Sequence, residues 1–224
     1  MNGENWHALG VVEYRVALAA QERIAAERER GARGDTLLLL EHPPTITLGR
    51  RASAAEVLWD PSRLESAGIG VERVGRGGRA TYHGPGQLVG YPIVRLGGGG
   101  RGVRRFVADL EALLLEVSRS FGVRAAIRPG HPGLWVDERK LASIGVEVRG
   151  GVSRHGFALN VDVDLRPFEA IVPCGMPGLA LTDLSRELGE RVTVAAVSEA
   201  VVRGWRSRFG ATEQETLDGC EAAR

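Results

Sequence analysis

The chain has 224 residues, 43% hydrophobic and 25% charged, with a formal net charge of +1. That length holds one large domain or two small ones, the charge balance gives no bulk attraction to nucleic acid, and no apolar run approaches the ~18 residues of a membrane span. The two cysteines, Cys174 and Cys220, lie far apart and make no disulfide framework; MNGENWHALG lacks the basic and apolar regions of a signal peptide, so a cytosolic chain with free thiols is expected.

HALGVV reads as a first strand, and EYRVALAAQERIAAERERG as a helix stopped at Gly31. DTLLLLEHPPTITLGR gives a leucine run suited to a strand buried on both faces, a Pro-Pro break and an alternating TITL. DPSRLESAGI is a short helix, and VERVGRGGRATYHGPGQLVGYPIVRL mixes strand-like and glycine-rich stretches. The glycines before Val103 are expected to form a flexible loop. After it, Phe106, Val107, Leu110, Leu113, Leu114, Val117 and Phe121 recur at helical spacing, with Gly122 as the stop.

GLWVDER, KLASIGVEVR and GVSRHGFALNVDVD follow as strand candidates. TDLSRELG is a short helix with Thr182 as N-cap. TVAAVSEAVVRGWRSRFG is a last helix with Val194, Val197, Val201 and Trp205 on one face. The polar tail, 210–224, is expected to fray. With no repeat and no clear linker, one mixed α/β domain over 1–224 is the economical reading, a small C-terminal subdomain being the alternative.

Glycine is over-represented: 31 residues, against a usual share of about 7%. Many fall in Gly75–Gly90, where GRGGRATYHGPGQLVGYP sets Arg76, Arg79, Tyr82 and His83 among backbone that a ligand can approach closely. The loop could cradle a phosphate or wall a narrow slot; a plain glycine-rich hairpin is the bland alternative. It is neither a Walker A loop nor a dinucleotide fingerprint, and no G-x-S-x-G elbow exists. Lys140 is the only lysine; unlike arginine, a desolvated lysine can lose its proton near neutral pH. Cys174 lies between Pro173 and Gly175 in IVPCGMPG, a turn that either fills a small apolar hole or presents a thiol. His83 and His155 with a cysteine raise zinc, but Cys220 has no ligand spacing, and a structural role suits each histidine. Asp162 and Asp164 share a strand face, read as solvated.

RGGRATYHGPGQLVGYP, KLASIG, HGFALNVDVDL and IVPCG, in that order and at those spacings, resemble the lipoyl(octanoyl) transferase family, the octanoyl-carrier-protein:protein N-octanoyltransferases, over roughly Leu37 to Leu184. The resemblance implies an α/β fold, a mixed sheet with flanking helices, like the biotin and lipoate ligases and related to class II tRNA synthetase cores. It implies Cys174 as the acyl-accepting nucleophile and Lys140 as its partner. It also implies that Arg76, Gly77, Gly78, Arg79, Ala80, Thr81, Tyr82 and His83, with Ser143, Ile144, Gly145, Gly156, Phe157 and Ala158, line the acyl substrate. The donor would be octanoyl-acyl carrier protein. The acceptors would be lipoyl domains of 2-oxoacid dehydrogenase complexes and the glycine cleavage H protein. No cofactor, metal, nucleic acid or membrane is implied.

Arg154 departs from the pattern, where an uncharged or aromatic residue is expected, and would alter the pocket rim. The chemistry also stands on the residues: a thiol needs activation, a nearby ammonium favours its thiolate, and an oxyanion needs backbone N–H donors, for which Gly175 is a candidate. Three rivals remain: an ATP-dependent lipoate or biotin ligase, a cysteine-dependent amidotransferase moving octanoyl between lipoyl-bearing proteins, and a non-catalytic acyl-binding module.

Overall fold

The leucine run decides the layering. In the computed structural model, which describes residues 6–97 and 99–209 and no side chain of 99–101, it forms the strand β2 (Thr36–Glu41). Leu37 and Leu39 face one core; Leu38 and Leu40 face another on the opposite side. Alternation along a strand buried on both faces produces this split.

β2 belongs to a seven-stranded sheet with β1 (Trp6–Val11), β6 (Gln87–Ile93), β7 (Ala126–Arg128), β8 (His131–Val136), β9 (Arg139–Arg149) and β10 (Val152–Asn160), in the order β1-β2-β6-β10-β9-β8-β7. β1 and β2 run parallel and the other pairs antiparallel. On one face lie α3 (Gly99–Ser120) and α5 (Val194–Phe209), which bury Leu110, Leu113, Leu114, Val197, Val201 and Trp205 against Leu37 and Leu39. Each such side chain contributes about 1.5–3 kcal/mol. On the other face α1 (Tyr14–Glu29) packs through Ala17 and Ile24.

A second, three-stranded sheet joins β3 (Thr45–Leu48) to β4 (Gly70–Arg73) in parallel and to β5 (Ala80–His83) antiparallel. Its own core takes Ile46, Tyr82, Phe168 and Ile171, with Leu64 from α2 (Pro61–Ser66). The Pro-Pro break is thus where the chain leaves one sheet for the other.

Three expectations change. α3 begins at Gly99, inside the stretch expected to be a loop; a side chain at Gly102 would meet the Gly97 carbonyl oxygen at 1.9 Å, so close backbone approach uses the glycines there. α4 (Leu184–Leu188) is capped by Asp183, whose carboxylate accepts the Arg186 N–H, and not by Thr182, whose hydroxyl donates to Glu187. β10 stops at Asn160 because the Val161 and Asp162 N–H groups both turn to the Gly86 carbonyl; Asp162 then pairs with Arg191 and Asp164 with Arg166. Cys220 and the tail lie outside the described residues. Among the described residues no helix is long and apolar enough to cross a membrane.

Candidate active site

Pro173 and Gly175 bend the chain into one 3-10 turn with Cys174 between them at φ 55°, ψ 14°. A side chain in that left-handed region costs about 1 kcal/mol. The Gly175 N–H donates to the Val172 carbonyl (3.1 Å) and the Met176 N–H to that of Pro173 (3.0 Å). The Gly175 N–H therefore closes the turn, and it is not a free oxyanion donor as the sequence suggested. Gly175 itself sits at φ 70°, where a Cβ would lie 2.1 Å from Arg79 Cδ. The turn accordingly favours glycine, and it leaves Cys174 half-buried.

Lys140, the second residue of β9, lies opposite Trp135, at a register shift between β8 and β9. Its Nζ donates to the Pro132 carbonyl (3.0 Å) and lies 4.4 Å from the centre of the Trp135 ring. Its own backbone is clasped: the N–H donates to Ala180 (2.9 Å) and the carbonyl accepts from Thr182 (3.1 Å). The segment following the cysteine turn is thereby stitched to the lysine strand. Lys140 is 2% exposed, and burial pulls its pKa below the usual lysine value against the opposing pull of Cys174 and Glu111.

Cys174 and Lys140 line one cavity of about 290 Å³, near the lower end of small-molecule sites, ~300–1,000 Å³. Arg76, Gly77, Gly78, Arg79, Ala80, Thr81 and His83 line it from the glycine-rich loop and β5, Ser143, Ile144 and Gly145 from β9, and Gly156, Phe157 and Ala158 from β10. Tyr82 is the exception. Alternation along β5 turns it into the small-sheet core, where its ring meets Phe168 edge-on at 5.3 Å. Arg154 is not among the lining residues: Glu22 (3.0 Å) and Glu147 (2.7 Å) hold its guanidinium.

The lining also includes Tyr14, Arg51, Val89, Tyr91, Val107, Gly130, His131, Pro132, Val146, His155 and Met176. Apart from His155, the sequence marks none of these as a site residue, and Val107 stands out there only in the helical pattern of α3. Tyr91 carried a usable signal, a hydroxyl inside a buried strand, since such a group requires a partner.

The closed end of the cavity is polar and largely hydrogen-bonded, with His155 Nε2 buried without a hydrogen-bond partner among the described residues. Arg76 is 8% exposed and donates from Nε and Nη2 to Thr47 Oγ1, from Nη2 to the Thr47 carbonyl and from Nη1 to that of Gly77. No carboxylate pairs with it among the described residues. Burial lowers its pKa, opposed by Tyr14, Cys174 and Tyr91. A buried cation with neutral partners only is costly and leaves the cavity electropositive.

Beyond Thr47, His83 Nδ1 lies 2.8 Å from Gln87 Oε1. The Gln87 amide nitrogen donates to Asn160 Oδ1 (2.9 Å), so its oxygen must accept and His83 carries its proton on Nδ1. The Thr47 hydroxyl then donates to Nε2 (3.3 Å). Asn160 closes the chain by donating to the Thr182 carbonyl (2.9 Å). His42 donates from Nδ1 to Val12 (2.6 Å), so its Nε2 accepts the Tyr91 hydroxyl (2.7 Å). Burial drives His42 down to about 4 and His155 down to about 3, and His83 well below its ordinary value. All three imidazoles are neutral at pH 7. Burial likewise raises Tyr14 to about 12.

The family model described as the lipoyl protein ligase A/B catalytic domain matches residues 13–206. A protein named octanoyltransferase from Geobacter metallireducens (strain ATCC 53774 / DSM 7210 / GS-15) is 49% identical over 215 residues, 96% of this chain and 96% of its own length. One of the same name from Roseiflexus sp. (strain RS-1) is 48% identical over 197 residues, 87% of this chain and 82% of its own. Among solved structures, lipoate-protein ligase A bound with ATP is similar with a TM-score of 0.77 at 19% identity, covering 92% of this chain and 85% of that one. Biotin protein ligase from Aquifex aeolicus, in complex with biotin and ATP, is similar at 0.53 and 15%, covering 92% and 70%. At these identities the two structures speak for the mixed α/β fold alone.

Proposed function

Because the chain belongs to the lipoyl protein ligase A/B catalytic-domain family, we propose that it is an octanoyltransferase of protein lipoylation. It moves an octanoyl group from octanoyl-acyl carrier protein to the target lysine of a lipoyl domain, through a thioester on Cys174. The names of the relatives support octanoyl transfer. The observation that carries the mechanism is the pairing in one cavity of Cys174, on its left-handed turn, with Lys140, the only lysine of the chain.

Lys140 takes the Cys174 proton, so that an ammonium stands beside the thiolate, and the thiolate attacks the donor thioester carbonyl. The carbon–sulfur bond to the carrier breaks, and the departing carrier thiolate receives the proton from Lys140. The amine of the target lysine then attacks the Cys174 thioester and passes its proton to Lys140. The carbon–sulfur bond to Cys174 breaks as the amide forms, and the thiolate leaves. A lysine whose pKa burial lowers suits both transfers. Arg76, bonded to neutral partners only, supplies positive charge as the carbonyl oxygen becomes anionic. A thioester is less stable than an amide, so no ATP is needed.

The test is intact-protein mass spectrometry after mixing with octanoyl-acyl carrier protein without ATP. The expected result is one octanoyl adduct, absent in Cys174→Ala with the fold retained. An adduct only from an octanoylated lipoyl-domain donor would make the enzyme an amidotransferase. No adduct from either donor, or transfer surviving in Cys174→Ala, would overturn the acyl-enzyme.

A further inference from the structure

α3 turns Leu110, Leu113 and Leu114 into the core, and between them it also buries Glu111, 9% exposed. Among the described residues no cation lies within ion-pair distance of that carboxylate. Its Oε1 accepts the Gly133 N–H at 3.1 Å. Gly133 stands at φ 120°, where a side chain would meet the Ala142 carbonyl oxygen at 2.0 Å, so β8 follows this path against β9 only with glycine there. The residue before it, Pro132, offers the carbonyl that receives Lys140 Nζ at 3.0 Å. One carboxylate on α3 therefore pins the peptide unit whose carbonyl aims the lysine.

Burying a charge to hold one backbone N–H is costly when a neutral amide oxygen would accept the same bond. The surplus over an amide is negative charge that acts on Lys140. The charged groups that act on Lys140 are Glu111 from α3, Cys174 from its turn, and Arg128 of β7, itself paired with Glu138; His131 lines the same cavity. Glu111 and Cys174 favour the ammonium, while Arg128 opposes it.

We propose that Glu111 is a positioning residue for Lys140: it fixes the Pro132 carbonyl through Gly133 and sets a carboxylate behind the peptide unit that holds the amine. The catalytic meaning rests on the reading of Lys140 given above; the electrostatic coupling does not. Because Lys140 is the only lysine, its amine can be followed by pH-dependent trace acetylation read peptide by peptide, apart from the N-terminal amine. In Glu111→Gln the amide oxygen still accepts the Gly133 N–H, so a merely structural role is preserved and only the charge is lost. The acetylation midpoint of Lys140 should fall by about one pH unit, while Glu111→Asp, which keeps the charge, stays with the parent.

An unchanged midpoint in Glu111→Gln overturns the proposal, as does a fall of the same size in both variants. If Glu111→Gln does not fold, Glu111→Ala replaces it, read against Glu111→Asp: a fall of about a unit in Glu111→Ala alone supports the coupling, and a parent-like midpoint in Glu111→Ala, or an equal fall in both, overturns it. The labelling needs no octanoyl donor. Failure to form an acyl-enzyme therefore leaves this result readable, and an unchanged midpoint leaves the transfer reading standing.

Discussion

The open end of the cavity and its closed end are built on opposite principles. At the open end, Cys174 is half-buried on a turn held by two backbone hydrogen bonds, and Lys140 Nζ has one carbonyl and one ring for company. At the closed end, Arg76, Thr47, His83, Gln87 and Asn160 form a continuous hydrogen-bonded chain, and burial keeps the imidazoles neutral. Protons can move where partners are few and are held where a hydrogen-bonded chain commits the lone pairs, as it does from Thr47 to Asn160. The contrast suits a site that must exchange protons with two successive substrates at its entrance without protonating its own lining.

The strongest way to break this contrast is Lys140→Arg, which keeps the charge and removes the titratable amine. Cys174 should still acquire the octanoyl group slowly, while amide formation falls by about 10²–10⁴-fold, the usual worth of a positioned acid–base group; single-turnover transfer to a lipoyl domain reads it. Full activity would end the proton-shuttle assignment.

The closed end breaks with acid. Folding lowers the pKa of His42 from 6.5 to about 4 and of His155 from 6.5 to about 3, so the unfolded chain binds more protons below pH 6.5. Stability is full above that value and is lost as pH falls toward the folded values. Each of the two should contribute about 2 kcal/mol of destabilisation between pH 6.5 and 5. Thermal melts over that interval should show a steadily falling Tm, and a flat profile would mean that the floor is not a store of neutral histidines.

The two ends also differ in how far the sequence discloses them. Leucine runs and 3.6-residue periodicity expose β2 and α3, because burial on two faces or one stripe leaves a pattern in side-chain type. Cys174 and Lys140 stand out as singular residues between turn formers and beside apolar ones. β4 and β7 escape notice because both are short and bury little. The closed end is opaque for another reason: His42, Tyr14 and Tyr91 meet only through the sheet, from positions up to His155 away in sequence. Nor does a sequence reveal which helical glutamate turns inward, so Glu111 reads as one more charged residue. The positive φ at Cys174 and His155 is invisible too, since neither residue type advertises it.

The mildest perturbation, Gly175→Ala, asks how much of the open end's readiness lies in backbone alone. Alanine at φ 70° carries a strain of about 1 kcal/mol. Its methyl would also press on Arg79 Cδ at 2.1 Å. Arg79 is exposed and long, so it can swing away, at the expense of its 2.8 Å pair with Glu56, a buried carboxylate that the Ser53 and Ala80 N–H groups still hold. The sum predicts a Tm lower by a few degrees, with the closed end untouched. Acylation of Cys174 should fall by about tenfold, because a small rotation of the turn misplaces the thiol from its attack position. If acylation were unimpaired while Tm fell, the left-handed turn would serve folding only, and the presentation of Cys174 would have to come from the stitch between the segment after it and Lys140.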